Sequence, residues 1–201
     1  MKDKIFEFIK KTQAIAHTGV TYSQCPYALD NYHELLEESS KMLHEYIKSD
    51  VQPYDIYKGV MYPTPQPGVR VVIVESGKIL MTQDIDVTSD EWTIPGGWCD
   101  VDTSPVEASV KEVKEETGFD IKVTKLLALM DRNKYIESSV YNVYSIVFLA
   151  EIIGGSNNPN FEVNKAEFFD ISDLPKLSNK LSREEIDVIL EAYNTGKIHF
   201  E

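Results

Sequence analysis

Apolar positions in the first third of the chain recur at helical spacing. Ile5, Phe8, Ile9, Thr12, Ile15 and Ala16 trace one stripe with lysines between them, and Gly19 closes the segment. Tyr32, Leu35, Leu36, Leu43, Tyr46 and Ile47 trace another, from about Asp30 to Ser49. This pattern predicts a helical hairpin whose apolar stripes need a neighbour or a second chain to cover them. The run GVMYPTPQPG, residues 59–68, holds three prolines and two glycines and reads as a linker. Beyond it the period changes. Val69–Val74, Lys78–Thr82, Trp92–Ile94, Ile121–Met130 and Tyr141–Ile152 are rich in β-branched and aromatic residues and predict strands. Helices are expected near Pro105–Thr117 and Arg183–Asn194. Ser104-Pro105-Val106-Glu107 supplies a capping box with Pro at the first helical position, and Ser182-Arg183-Glu184-Glu185 offers a second box. Gly118 and Gly196 sit where left-handed helix ends occur. The expected fold class is α+β: a mixed sheet flanked by helices, preceded by a small α-helical domain. Its boundaries are 1–58 for the helical domain, 59–68 for the linker and 69–201 for the sheet domain.

Composition narrows the function. The chain has 201 residues with 42% hydrophobic and 26% charged, enough for a real core. Its formal net charge is -13, which argues against holding nucleic acid on a basic surface. No stretch approaches the ~20 apolar residues of a membrane span. The charged start MKDKIFEFIKK is not a secretory signal. Two cysteines, Cys25 and Cys99, make neither a disulfide framework nor a zinc site. A cytoplasmic, reduced protein is expected.

The chemistry concentrates in Gly96–Phe119. Glu112, Glu115 and Glu116 lie three and four residues apart, near one helix face. Like charges at this spacing destabilise a helix by roughly 0.2–0.5 kcal/mol per pair. Glu115 and Glu116 also occupy the last turn before Gly118, where the macrodipole disfavours carboxylates. Such placement points to a divalent cation; the alternative is a solvated acidic face tempered by Lys111 and Lys114. Gly96 and Gly97 precede the helix and permit close backbone approach to a ligand.

These residues resemble the Nudix hydrolase signature, G-x5-E-x7-R-E-U-x-E-E-x-G-U with U a bulky apolar residue. Gly97 opens it and Lys111 through Phe119 closes it, with every spacing kept. Thr103 stands where the first Glu belongs and Lys111 where the Arg belongs. In the family these two often brace the loop against the helix, so their joint replacement predicts a lost brace. The remaining chain, including MDRNKY, FFDISDLP and the N-terminal AIAHTGVTYSQCPYALDNYHELL, resembles a bacterial subgroup with an N-terminal helical domain.

The resemblance implies a Nudix-type fold and a hydrolase of a nucleoside diphosphate linked to another moiety, with CDP-choline first and ADP-ribose second. It implies Mg²⁺ or Mn²⁺ held by Glu112, Glu115 and Glu116, with Glu115 and Glu116 also catalytic. Glu162 is the candidate general base or further metal ligand, in the loop before Phe168 together with Glu167. Arg70 and Arg132 are candidate phosphate clamps, because guanidinium grips phosphate in a fork; the alternatives are an exposed edge position and a polar loop. Gly96 and Gly97 would face substrate, and Tyr22 and Tyr27 could stack on a nucleobase. The helical domain is expected to form a homodimer. Two other readings stay open: a catalytically silent nucleotide-binding regulator on the same fold, and an RNA-processing hydrolase.

Overall fold

The computed structural model describes residues 4–47, 55–85, 90–136 and 141–201. It divides into two compact units: residues 1–65 with 137–142, and residues 66–136 with 143–201.

The first unit is a helical hairpin, α1 (Lys4–Tyr22) and α2 (Pro26–Ile47). Helix α1 runs through Gly19 rather than ending there. Gly19 serves contact instead: a Cβ on it would fall 2.4 Å from the ring of Tyr32 on α2. Helix α2 begins at Pro26, ahead of the expected Asp30, because proline suits a first helical position. Ser49, the expected end, lies outside the described residues. The buried stripe on α1 is Phe6, Ile9, Gln13 and Ala16, closed by Leu43 from α2. Gln13 is fully buried and satisfied on both ends, donating to Ser40 Oγ at 2.9 Å and accepting from the Ile56 amide at 3.1 Å. His17 meets Asp55 at 2.7 Å. These polar contacts fasten residues 55–56 to the hairpin. Phe8 (65% exposed) and Ile15 stay on the surface, as do Leu35 and Met42.

The second unit is a six-stranded mixed sheet: β1 (Gln66–Glu75), β2 (Lys78–Asp84), β3 (Phe119–Asp131), β4 (Val143–Gly155), β5 (Val163–Asp170) and β6 (His199–Phe200), in the order β5-β2-β1-β4-β3-β6. Strands β1 and β4 run parallel; β1–β2, β2–β5 and β3–β4 are antiparallel. Helices α3 (Pro105–Thr117) and α4 (Arg183–Thr195) cover opposite faces. Alternation along β1 makes the division. Val71 and Ile73 pack with Val113 of α3, whereas Val72 packs with Ile186 and Ile189 of α4. The tail of the expected linker, Gln66-Pro67-Gly68, already belongs to β1 and pairs with β4. Strand β5 replaces the expected loop around Glu167, and Glu167 sits opposite Met81 of β2.

The β1–β2 hairpin pairs only at Val74–Ile79 and Glu75–Lys78. Residues 92–97 then wedge between the two strands. Thr82 and Thr93 exchange both backbone hydrogen bonds, at 2.8 and 2.9 Å. The Val71 amide donates to Pro95 O and the Val69 amide to Gly97 O, both at 2.9 Å. The expected strand Trp92–Ile94 is therefore a bridging insert. It carries Gly96 and Gly97 to the middle of the sheet, beneath α3.

Candidate active site

Helix α3 is locally well specified. Ser104 Oγ accepts from the Glu107 amide, and Glu107 Oε2 accepts from the Ser104 amide at 2.8 Å, completing the predicted box. Gly118 ends the helix in the left-handed conformation at φ +81. Glu112 and Glu116 are thereby fixed on a face that meets the 95–97 insert.

Glu116 is held most firmly. Its Oε2 accepts from the Gly96 amide at 3.0 Å. Burial and the charges of Glu112 and Asp84 push its carboxyl up to about 8, against the pull of the Gly96 amide and Arg70. Glu112 rests on Gly97, where a Cβ would lie 2.6 Å from its carboxyl carbon and Oε1. Burial and then the charge of Glu115 raise the Glu112 carboxyl, and the nearby Glu162 adds to this. Glu115 Oε2 lies 4.0 Å from Lys111 Nζ. Glu162 is brought to the same side by the turn after β4. There the Asn158 amide donates to Thr117 O at 2.9 Å and the Asn160 amide to Glu115 O at 3.0 Å, satisfying carbonyls at the end of α3.

The four carboxylates Glu112, Glu115, Glu116 and Glu162 thus share one region. Among the described residues, no three His, Cys, Asp or Glu side chains stand close enough to chelate an ion as they are placed. The donor chemistry nonetheless fits a hard divalent cation: oxygen ligands only, on a helix where burial raises the carboxyls of both Glu112 and Glu116.

The loop between Gly97 and α3 keeps a brace in altered form. Lys111 Nζ pairs with Asp100 Oδ2 at 2.5 Å, and Thr103 Oγ1 donates to Asp100 O at 2.7 Å. The expectation of a lost brace is corrected: Asp100 takes the place of the missing glutamate, and Thr103 closes the turn that presents it. Both charged groups are about half exposed, so solvent screening keeps the pair weak. Asp100→Asn and Lys111→Met should therefore show a small favourable coupling in a double-mutant cycle read by thermal unfolding. Strict additivity would mean that the pair does not form in solution.

The two arginines are placed elsewhere. Arg70 is only 7% exposed, on a central strand rather than an edge. It follows the alternation of Val72, on the α4 side of the sheet. Its guanidinium donates to Thr93 Oγ1 (3.0 Å), Ile94 O (3.0 Å) and Lys180 O (2.8 Å). Arg132, in a single 3₁₀ turn after β3, also donates to Lys180 O and lies 4.0 Å from Glu185 of α4. In this structure both forks donate to protein oxygens, and the charge of Arg70 also reaches the Glu116 carboxyl. Tyr22 and Tyr27 belong to the helical unit and are exposed, Tyr22 meeting Tyr62 edge-on at 6.3 Å between centroids. Asp84 carries no signal in the sequence, Asp100 only its place inside the signature loop, and Glu185 only its place in the capping box of α4.

A mixed sheet between two helices, with a glycine insert under a carboxylate-bearing helix, defines a hydrolase of the Nudix class. The sequence matches the NUDIX domain over residues 64–190 and the UDP-X-like N-terminal oligomerisation domain over residues 3–55, and the chain belongs to the Nudix family. It is 34% identical over 184 residues to YjhB of Bacillus subtilis (strain 168), by name a candidate ADP-ribose pyrophosphatase, covering 90% of this chain and 87% of that one. An ADP-ribose pyrophosphatase of Methanocaldococcus jannaschii is 33% identical over 66% of this chain and 78% of its own. The crystal structure of a UDP-X diphosphatase superposes over 100% of both chains with a TM-score of 0.65 and 31% identity. No helix among the described residues is long and apolar enough to cross a membrane.

Proposed function

We propose that this Nudix hydrolase cleaves the diphosphate of a nucleoside diphosphate linked to a second moiety. The observation that carries the reading is the seating of Glu116 and Glu112 on the Gly96–Gly97 insert, with Glu115 and Glu162 near enough to Glu112 to raise its carboxyl. Support for the substrate class comes from whole-length similarity to a UDP-X diphosphatase and from the ADP-ribose pyrophosphatases among the relatives. Glu112, Glu115 and Glu116 would hold Mg²⁺ or Mn²⁺, which when bound supplies positive charge against the diphosphate and lowers the pKa of water. The Gly96 amide fixes one carboxylate oxygen of Glu116, leaving the other for the ion. Glu162, beside Glu112, takes the proton from attacking water. Gly96 and Gly97 let the phosphates approach the backbone.

A panel of CDP-choline, ADP-ribose, UDP-linked sugars and a nucleoside triphosphate, each with Mg²⁺ and Mn²⁺, tests this reading. Linked diphosphates should turn over faster than the triphosphate, and only with metal. Preference for the triphosphate would sink it. Within the class, CDP-choline is the sequence-based expectation, while the relatives' names favour ADP-ribose and UDP-linked compounds.

The helical unit supports a homodimer. Phe8 and Ile15 on α1, with Leu35 and Met42 on α2, are 38–65% exposed in a hairpin that already buries Phe6, Ile9 and Leu43. The match to an oligomerisation domain points the same way. Light scattering should give a dimer for the parent and a monomer for Phe8→Glu/Met42→Glu. An unchanged mass would remove the role of this face.

A further inference from the structure

Glu185 is the least explained charge in the molecule. It is 0% exposed, and neither carboxylate oxygen makes a hydrogen bond of good geometry. At the start of α4, Ser182 Oγ accepts from the Glu185 amide at 3.1 Å, while the Ser182 amide acts on the buried Glu185 carboxylate without a hydrogen bond of good geometry. An isolated buried carboxylate is strongly unfavourable, so its neighbours must account for it. They are two guanidinium groups, Arg70 and Arg132, with the backbone amide of Ser182. Arg132 Nε, itself buried without a hydrogen-bond partner, lies 4.0 Å from Glu185 Oε1. Both Arg132 and Arg70 donate to the carbonyl of Lys180. Two like charges converging on one carbonyl repel each other, and the buried carboxylate offsets that repulsion.

The consequence reaches the glutamate face through Arg70. Its other two bonds hold Thr93 and Ile94, the residues that lead into Gly96. The Gly96 amide in turn holds Glu116. The path runs from Glu185 to Arg132 by ion pairing and to Arg70 by charge, then through Ile94 to the Gly96 amide, and ends on the carboxylate that would bind metal.

We propose that Glu185 is a positioning residue: by balancing Arg70 and Arg132 it holds the insert at the register in which the Gly96 amide grips Glu116. The catalytic consequence rests on the reading of Glu116 as a metal ligand; the structural one does not. The test therefore has two readouts on the full chain. Hydrogen exchange of the Gly96 amide, followed by NMR in metal-free protein, reports the grip directly. Mn²⁺ affinity, measured by electron paramagnetic resonance, reports the site.

Glu185→Gln keeps the shape and removes the charge. Exchange at Gly96 should quicken about tenfold, with Mn²⁺ affinity and kcat each falling several-fold and KM for nucleotide little changed. Adding Arg132→Gln removes one of the two repelling charges, and the double variant should recover most of both readouts. Unchanged Gly96 exchange in Glu185→Gln, or a loss that the second substitution leaves in place, would overturn the proposal. If Glu185→Gln alone does not fold, the double variant decides: near-parental Gly96 exchange supports the proposal, and unfolding or rapid exchange overturns it. A parent that binds no Mn²⁺, with Gly96 exchange responding as described, would sink the metal reading and leave the positioning role standing.

Discussion

Glu116→Gln should lower turnover by at least ~100-fold, the scale of losing a central electrostatic stabiliser, while the metal-free protein becomes more stable. The amide oxygen of Gln can still accept from Gly96, so the fold and the insert are kept. The stability gain has a definite pH dependence. Burial raises the Glu116 carboxyl to about 8, well above its value in an unfolded chain. Between those two values the folded state binds more protons than the unfolded state. Stability from this group is fully present below about pH 4.5 and is lost as pH rises through about 8. Gln has no such dependence. The melting temperature of the variant should therefore exceed that of the parent by a margin that widens from pH 5 to pH 9. Mg²⁺ or Mn²⁺ should reverse the order above pH 8, because the ion stabilises the parent carboxylate and has less to bind in the variant. Metal binding to the parent should release protons below pH 8 and tighten as pH rises. A variant with full activity, or a melting difference flat in pH, would remove Glu116 from the site.

How much of this was legible in the sequence depends on the distance over which each residue is determined. The bounds of α3 were legible to the residue, because Ser104, Pro105, Glu107 and Gly118 act within one helical turn of themselves. The glutamates' shared face followed from spacing alone. Strand β5 was missed because Val163, Ala166, Phe168 and Phe169 do not alternate cleanly, and its pairing with β2 joins segments about eighty residues apart, as Asp84 with Val163 shows. Arg70 shows the limit most clearly. A charged residue in an apolar strand signals a special role, but its acceptors lie 23, 24 and 110 residues away. Sequence could say that the guanidinium needed oxygens; only the fold says that they belong to the protein. Glu185 is the same case inverted. Local rules read it as half of a capping box, and tertiary packing sets two arginines beside the same carboxylate.

The adjacent glycines should respond differently to the same added methyl group. Gly96 has φ +151, and a Cβ there would lie 2.1 Å from Val69 O and 2.9 Å from Arg70 Cα. Both obstacles are backbone of the central strand β1, already engaged with β4, so neither can yield. Gly96→Ala should cost about 3 kcal/mol or more, combining backbone strain with overpacking, and should separate Glu116 from its amide partner. At Gly97 the three atoms nearest the Cβ would all belong to the end of the Glu112 side chain, at 2.6–2.7 Å. That carboxylate can swing aside at small cost in stability, but it swings away from the place where it would meet the ion. Gly97→Ala should therefore melt within a few degrees of the parent, at roughly 1 kcal/mol or less, yet bind Mn²⁺ at least about tenfold more weakly. As a control, Gly59→Ala introduces positive-φ strain in open surroundings, with nothing within 4 Å, and should cost about 1 kcal/mol with no change in metal affinity. Chemical denaturation and Mn²⁺ titration of the three variants separate the two effects. Equal metal affinity in Gly97→Ala and the parent would show that Glu112 does not need its seat on Gly97, and would take that contact out of the site.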